Sequence, residues 1–557
     1  MNKCATVLAA TVALVACSAA CAADWPQFGF DPAHSGVNSS ERLLTAGNVH
    51  NMSLHYSLTL PSVAEGAPVY LSGVTTSSGV KNILYLTLNN GTLLALDAST
   101  GSTLWSAFAS DTNDCVNFTV DKPCVTASSP ALDPNRAYVY NYAIDGKVHR
   151  YRVADGVEIT TGGWPEVVTA KPDVEQVSSA LSVATAQNGH SYLYATISGA
   201  SWLQDDSGDY QGHVTAIDLG SGAQITFNVV CATQGNVHFV ESLPNPPVSA
   251  TPDCLQQFVT GTSNTKPTGD GGIWGRAGVV YDSVSDRIYV STGNGLFGDN
   301  GGSGGYVGTD NWGDSVLALP AAMTTALTAP LDSYTPTNFS SYMVNDTDLG
   351  STSMVLVPPP AGSSVAHIGV QGGKDGNLRI LNLDNLSGSG APGATGGELD
   401  VRNVPQINEV KTQPLVWVNP SDGSVMLIAA NNFGISATEI VAAPGTNIPM
   451  FTSSGAPNWM NIGSGAPSST TEGGTSPVLA NGVLYYAGGS GVQALKPLDG
   501  SLLWSDVSMG TANASTASAF HKQSVIVVDG QLFSADKHGT LWAYRGDEIF
   551  FDGFGEP

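Results

Sequence analysis

The residues of this chain that could do chemistry are acidic loop residues, a few cysteines and glycine-rich insertions. No HExxH zinc helix and no phosphate-binding loop occurs. Gly301-Gly302-Ser303-Gly304-Gly305 fits the GxSxG spacing of a nucleophile elbow. It lies in a glycine tract with no strand-to-helix turn to expose the serine, so it carries no hydrolase reading. Cys115, Cys124, Cys231 and Cys254 lack the CxxC spacing of a zinc site, and no CxxCH is present to attach haem. Two structural disulfides are expected instead: Cys115 with Cys124, closing a small loop, and Cys231 with Cys254 in a long insertion. Acidic pairs such as Asp205-Asp206 could hold calcium structurally, although solvated loop charge is the commoner use of such residues.

The elements that must position any site follow from a repeat. Ile83 to Trp105 reads as an alternating apolar run, an Asn-Asn-Gly turn, a second run and a further turn at Asp97 to Gly101. Alternation at period two with Asn-Gly between the runs is a strong hairpin signal. Its central glycine recurs as Gly91, Gly146, Gly212, Gly313, Gly376, Gly434, Gly491 and Gly539, each followed by an apolar strand. A small sheet cannot bury both faces until its neighbours stack on it, so the repeat predicts a ring. The expected fold is all-β: an eight-bladed β-propeller of four-stranded blades, spanning 24–548. Residues 25–60, beginning Trp25-Pro26-Gln27-Phe28-Gly29, are expected to supply the strand that closes the last blade beside Tyr544. This removes an exposed sheet edge.

Long insertions sit inside the third and fourth hairpins, at 198–211 and 294–312. Equivalent hairpin loops of a propeller emerge on one face, so that face is expected to bind a protein or small-molecule partner. Residues 1–23 read as an export signal: Lys3, a short apolar run to Ala16 and an Ala20-Cys21-Ala22 cleavage pattern. Periplasmic or secreted placement is the expectation. Leu14-Val15-Ala16-Cys17 also fits a lipobox, which leaves a lipoprotein anchored at Cys17 as the alternative. A net charge of −26 points away from nucleic acid and anionic lipid. The tail at 549–557 carries Phe550, Phe551 and Phe554 and is expected to sort or dock the protein.

Ala95-x-Asp97-x-x-Thr100-Gly101-x-x-x-Trp105 resembles the tryptophan-docking motif of the PQQ-repeat propellers, the quinoprotein alcohol dehydrogenase-like family. A weaker copy runs from Ala494 through Asp499-Gly500 to Trp504. The resemblance implies that Trp105 and Trp504 wedge between blades. It also implies a site. Gly271 to Asn294 is similar to the segment whose Trp floors the quinone and whose Asn ligates calcium, which gives Trp274 and Asn294. Asp346-Thr347-Asp348 resembles the segment of the catalytic aspartate, giving Asp348 as base and calcium ligand. Gly373-Lys374-Asp375-Gly376 resembles the segment whose Lys contacts the quinone oxygens, giving Lys374. The cofactors implied are PQQ and calcium, a hard cation that wants oxygen ligands.

Two departures from the family pattern stand out. Ser201 follows Ser198-Gly199-Ala200 where the dehydrogenases carry a Glu calcium ligand, unless Asp205, Asp206 or Asp209 substitutes. The adjacent cysteine pair that caps the quinone in many relatives does not occur. The sequence therefore predicts an exported binding or scaffold protein with a degenerate quinone site. The alternative is a PQQ- and calcium-dependent alcohol or sugar dehydrogenase that passes electrons to a separate acceptor.

Overall fold

A computed structural model describes residues 23–108, 125–172, 175–199, 210–232, 271–298, 311–452, 458–462, 474–488, 491–506 and 521–546. The export signal, Cys17, Cys115, Cys124, Cys254, Ser201, Asp205, Asp206, Asp209, the Gly301–Gly305 tract and the tail lie outside them. Cys231 is described, buried and disulfide-bonded.

Eight sheets form the expected ring of four-stranded antiparallel blades, with Val37–Asn38 added parallel to the first strand of blade seven. Blade one is Val69–Thr76, Gly79–Thr87, Leu93–Asp97 and Thr103–Ala107. The Asn89-Asn90-Gly91 turn joins its second and third strands, pairing Thr87 with Leu93. Later blades repeat this order, and blades three, six and seven each gain a short extra strand. First strands of neighbouring blades touch in blades two and three and from five through eight, so they are the innermost. Both faces of the inner strands are buried, as expected for sheets stacked face to face: every residue of Leu93–Asp97 and of Val425–Asn431 is buried.

Six of the eight repeat glycines have positive φ, from 72° at Gly376 to 150° at Gly434. Gly212 and Gly313 do not, and a different constraint holds them. A Cβ at Gly212 would lie 2.0 Å from Gly271 O, and one at Gly313 would lie 2.2 Å from Gly295 C. At the first the blade-three hairpin closes on the entry to blade four, and at the second the two arms of the blade-four hairpin close on each other, approaches that only glycine permits.

Ser53–Thr59 pairs antiparallel with Thr540–Arg545, Leu54 opposite Tyr544, so an N-terminal strand closes blade eight as expected. The preceding residues do something else. Trp25 bridges Tyr70 in blade one, Leu132 N donates to Pro26 O in blade two, and Val183 N donates to Gln27 Oε1 in blade three. Tyr281 N donates to Pro32 O in blade four, Leu479 N to Gly36 O in blade seven, and Asn38 Nδ2 to Val527 O in blade eight. Residues 25–38 thus touch the innermost strands of six blades and fill the bore of the ring. Their apolar side chains Trp25 and Phe28 and the polar His34 are all buried.

The tryptophan wedges form as expected, with two additions. Trp504 is buried, donates from Nε1 to Met52 O at 2.9 Å and meets Tyr544 edge to face. Trp105 is only half-buried; its ring lies where a Cβ at Gly156 would sit, and its Nε1 donates to Val153 O in blade two. Trp459 packs in the same way on Gly500, and Tyr56 packs on Gly101 between blades eight and one.

Candidate functional site

In an antiparallel blade the start of the first strand, the end of the second and the start of the third share one face. Trp274 precedes the first strand of blade four, Val280–Asp282, and Asn294 follows its second, Arg287–Ser291. Asp348 precedes the first strand of blade five, Val355–Val357, and Lys374 follows its second, Ile368–Gln371. The structure brings all four together on that rim.

Asp348 is the centre. Its Oδ2 pairs with Lys374 Nζ at 2.6 Å, and its Oδ1 accepts the Asn294 backbone N–H at 2.6 Å. Its own backbone O accepts Lys374 N–H at 2.9 Å. Lys374 Nζ also reaches Asp346 Oδ1 at 2.9 Å and lies 5.1 Å from the Trp274 ring centroid. Burial pulls the Lys374 ammonium down, but Asp348 and Asp346 outweigh it and hold the group above its ordinary value.

The local chain fixes these positions. A six-residue helix, Ser340–Asn345, ends where Asp346 turns left-handed at φ 52°. A 3-10 turn, Leu349–Ser351, then follows Asp348. Gln371 Nε2 donates to Leu349 O and Thr352 O while its Oε1 accepts from Ser291 Oγ, locking this segment between blades four and five. Tyr342 of the helix donates to Asp375 Oδ2 at 2.7 Å and so holds the Lys374 turn. Gly293 packs tightly under the site: a Cβ there would lie 3.0 Å from Trp274 Nε1 and 3.1 Å from Asp348 Oδ1.

Asn294 meets Asp348 through its backbone N–H, and its carboxamide turns its nitrogen to Asp346. That Nδ2 donates to Asp346 Oδ1 at 3.1 Å, and the carboxamide Oδ1 is buried with no partner. An unpaired buried acceptor is costly unless something else meets it.

Three further residues join the site without having been expected. Asp314 is buried, with Oδ1 accepting Leu349 N–H and Oδ2 unpartnered. Burial and the nearby Asp348 charge push its carboxyl well above the usual range. Asp346 bridges Asn294 and Lys374. His521, from the approach to blade eight, meets Trp274 edge-on at 6.4 Å, and its Nε2 is buried and unpartnered. Burial holds that imidazole well below its ordinary value, and Lys522, Lys411, Arg276 and Lys374 push the same way. Asp346 and Asp348 sit in one segment, so Asp346 was within reach of the sequence reading. Asp314 follows the repeat glycine Gly313, a signal that could have pointed to it, whereas His521 is a loop residue with no motif around it.

Calcium and PQQ can be tested against this set. The orphaned Asn294 Oδ1 and Asp314 Oδ2 are free oxygen acceptors of the kind a hard cation takes, and the Trp274 ring and Lys374 ammonium suit a flat anion. The donor set fits, although among the described residues no three His, Cys, Asp or Glu side chains already group as a metal site.

Comparison with known proteins agrees with the fold. A search of curated proteins found no match. Among solved structures, the quinohemoprotein alcohol dehydrogenase ADHIIG of Pseudomonas putida HK5 is 14% identical, with a TM-score of 0.61 over 94% of this chain and 80% of that one. The quinohemoprotein alcohol dehydrogenase of Comamonas testosteroni is 16% identical, with a TM-score of 0.60 and the same coverage. A europium-containing methanol dehydrogenase is 14% identical, with a TM-score of 0.56 over 94% of this chain and 98% of that one. At these identities the likeness concerns the fold. A family model described as the β-propeller domain of glucose, ethanol and alcohol dehydrogenases matches residues 25–325, more than half of the chain, and the protein therefore belongs to that PQQ-type propeller family.

Proposed function

We propose that the protein is an exported quinone-dependent oxidoreductase acting on an alcohol or sugar hydroxyl and passing electrons to a separate acceptor. The observation that carries this reading is the meeting of Trp274, Asn294, Asp348 and Lys374 at one rim, beside the unpaired Asn294 Oδ1. Lys374, Lys411, Lys522 and Arg276 all act on His521 there, and Asp314, Asp346 and Asp348 stand on the other side of the cluster, so the site offers donors to an anionic group and oxygens to a cation.

Bound PQQ would supply a carbon that accepts hydride, with calcium polarising its carbonyl. Trp274 would hold the flat face, and Asn294 Oδ1 and Asp314 Oδ2 would offer oxygen ligands. Lys374 would donate N–H to the quinone oxygens from its seat between Asp346 and Asp348. Asp348 Oδ2 would take the hydroxyl proton once its pairing with the Lys374 ammonium is exchanged for the substrate O–H.

One observation favours a second reading, a binding protein without turnover: both Asp348 oxygens are already occupied by internal partners. Adding PQQ and Ca²⁺ to purified protein, recording the quinone absorption and then following dye reduction with a panel of alcohols and sugars separates the two. Quinone binding with alcohol-dependent dye reduction supports the oxidoreductase. Binding without reduction leaves the second reading.

A further inference from the structure

Away from the axis, a cleft of about 360 Å³ opens between blades two and three, lined among others by Asp133, Tyr138, Arg150, Gly189, His190 and Asp218. That volume lies within the range of small-molecule sites, roughly 300–1,000 Å³. The lining is preorganised. The Arg150 guanidinium lies 4.9 Å from the Tyr138 ring centroid and 4.8 Å from that of Trp164, which itself stacks on Tyr140. Stacking on two rings fixes the plane of the fork while leaving its edge to donate. Its Nε is buried with no partner, and among the described residues its hydrogen bond is to Thr161 O, long at 3.5 Å.

Opposite, His190 Nδ1 pairs with Asp218 Oδ2 at 2.7 Å. The carboxylate orients the ring, as second partners do for functional imidazoles, and that bond leaves Nε2 unused. Asp218 is fixed in turn by the N–H groups of Gly220 and Ser221 on Oδ1. Asp133 accepts the Asn135 N–H with Oδ1 and keeps Oδ2 available. At Gly189 an added Cβ would meet nothing within 4 Å, so the mouth is open beside His190.

The charges select the ligand class. An anion drawn to Arg150 would meet Asp133 and Asp218, and a cation drawn to those carboxylates would meet Arg150. A neutral molecule that both donates and accepts at several points satisfies every wall. Vicinal hydroxyls do this: the guanidinium fork donates to two oxygens while the open Asp133 Oδ2 accepts from an O–H group.

We infer that the cleft between blades two and three is a binding site for a neutral sugar or polyol, distinct from the axial rim. It does not depend on the axial reading. Saturation-transfer NMR and calorimetry of the full chain test it with methyl α-glucoside, methyl β-galactoside and sorbitol as probes, and acetate and trimethylammonium as charged controls. At least one neutral probe should bind, with a Kd weakened tenfold or more in both His190→Ala and Asp133→Asn. Asp133→Asn keeps the oxygen that accepts Asn135 N–H, so its thermal midpoint should stay at the wild-type value. Asp348→Asn should leave the binding unchanged. The inference is overturned if no neutral probe binds, if only acetate or trimethylammonium does, or if Asp348→Asn abolishes binding while His190→Ala and Asp133→Asn leave it intact.

Discussion

The bore and the rim of this propeller are built from the same eight blades and obey opposite rules. In the bore, residues 25–38 seal the ring with Trp25 and Phe28, and the polar groups are mostly paired. His34 meets Phe28 O with Nδ1 and Ser182 Oγ with Nε2; Gln27 exchanges both ends of its amide with Val183. At the rim, Asn294 Oδ1, Asp314 Oδ2 and His521 Nε2 are buried without partners within one cluster. Buried polar groups are ordinarily satisfied because each orphan costs about 1–3 kcal/mol. The bore has orphans too, Trp25 Nε1 and Arg276 Nε, but only N–H donors; the rim differs in gathering two oxygen acceptors and an imidazole nitrogen around Asp348 and Trp274, the groups a ligand or cation could meet.

The contrast can be broken in several places. The largest effect expected is on turnover. Asp348→Asn removes the base and should lower dye reduction by roughly 10²–10⁴-fold, the range for a general base, while the melting curve shows a folded protein. Near-wild-type rates would remove Asp348 from the chemistry. In the bore the expected effect is on stability alone. Phe28→Ala deletes a buried ring that also carries the Arg276 guanidinium at 5.1 Å. It should cost about 3–5 kcal/mol in denaturant melts and leave ligand affinity of the folded protein unchanged.

A smaller, graded effect concerns the wedges between blades. Trp504→Ala should cost about 3–5 kcal/mol, whereas the half-buried Trp105→Ala should cost nearer to 1.5 kcal/mol. Equal losses would mean that exposure does not set the value of a wedge.

The smallest effect is a pH dependence from the bore. Burial lowers the His34 imidazole, with Arg276 adding to it and Asp31 opposing. A lowered folded value means that the unfolded chain takes the proton first. The contribution of His34 is therefore present above its ordinary value of about 6.5 and is lost as pH falls through the lower folded value. The melting temperature should drop on acidification below that point, and His34→Asn should flatten the drop. A slope unchanged in the variant would exclude His34 as its source.

The ring was legible because the repeat is periodic: alternating strands around eight glycines fix blade number, hairpin order and the shared rim. The plug was not, because Trp25 to Asn38 form almost no regular strand. Their partners are scattered over six blades, and no local pattern encodes that. Trp459 was missed as a wedge because no Asp-x-x-Thr-Gly phrase precedes it. Tyr56 was missed because a tyrosine there does the work of a tryptophan. At the site, motif resemblance located Trp274, Asn294, Asp348 and Lys374. It could not show that Asn294 meets Asp348 through its backbone N–H rather than its carboxamide. Asp314 and His521 depend on long-range burial, which sequence periodicity does not carry. The wedges and the blades are repeated solutions to one packing problem; the site occurs once, so it leaves no echo to read.

The central claim is that the rim holds a flat, anionic quinone with a cation, through Trp274 and Lys374. The most direct measurement is a fluorescence and equilibrium-dialysis titration of PQQ, with and without Ca²⁺, against wild type and Lys374→Met. The account predicts near-stoichiometric PQQ binding that tightens with Ca²⁺ and quenches tryptophan emission. Lys374→Met should weaken it at least tenfold while remaining folded by circular dichroism. Absence of PQQ binding to the wild type, or equal affinity in Lys374→Met, would contradict it.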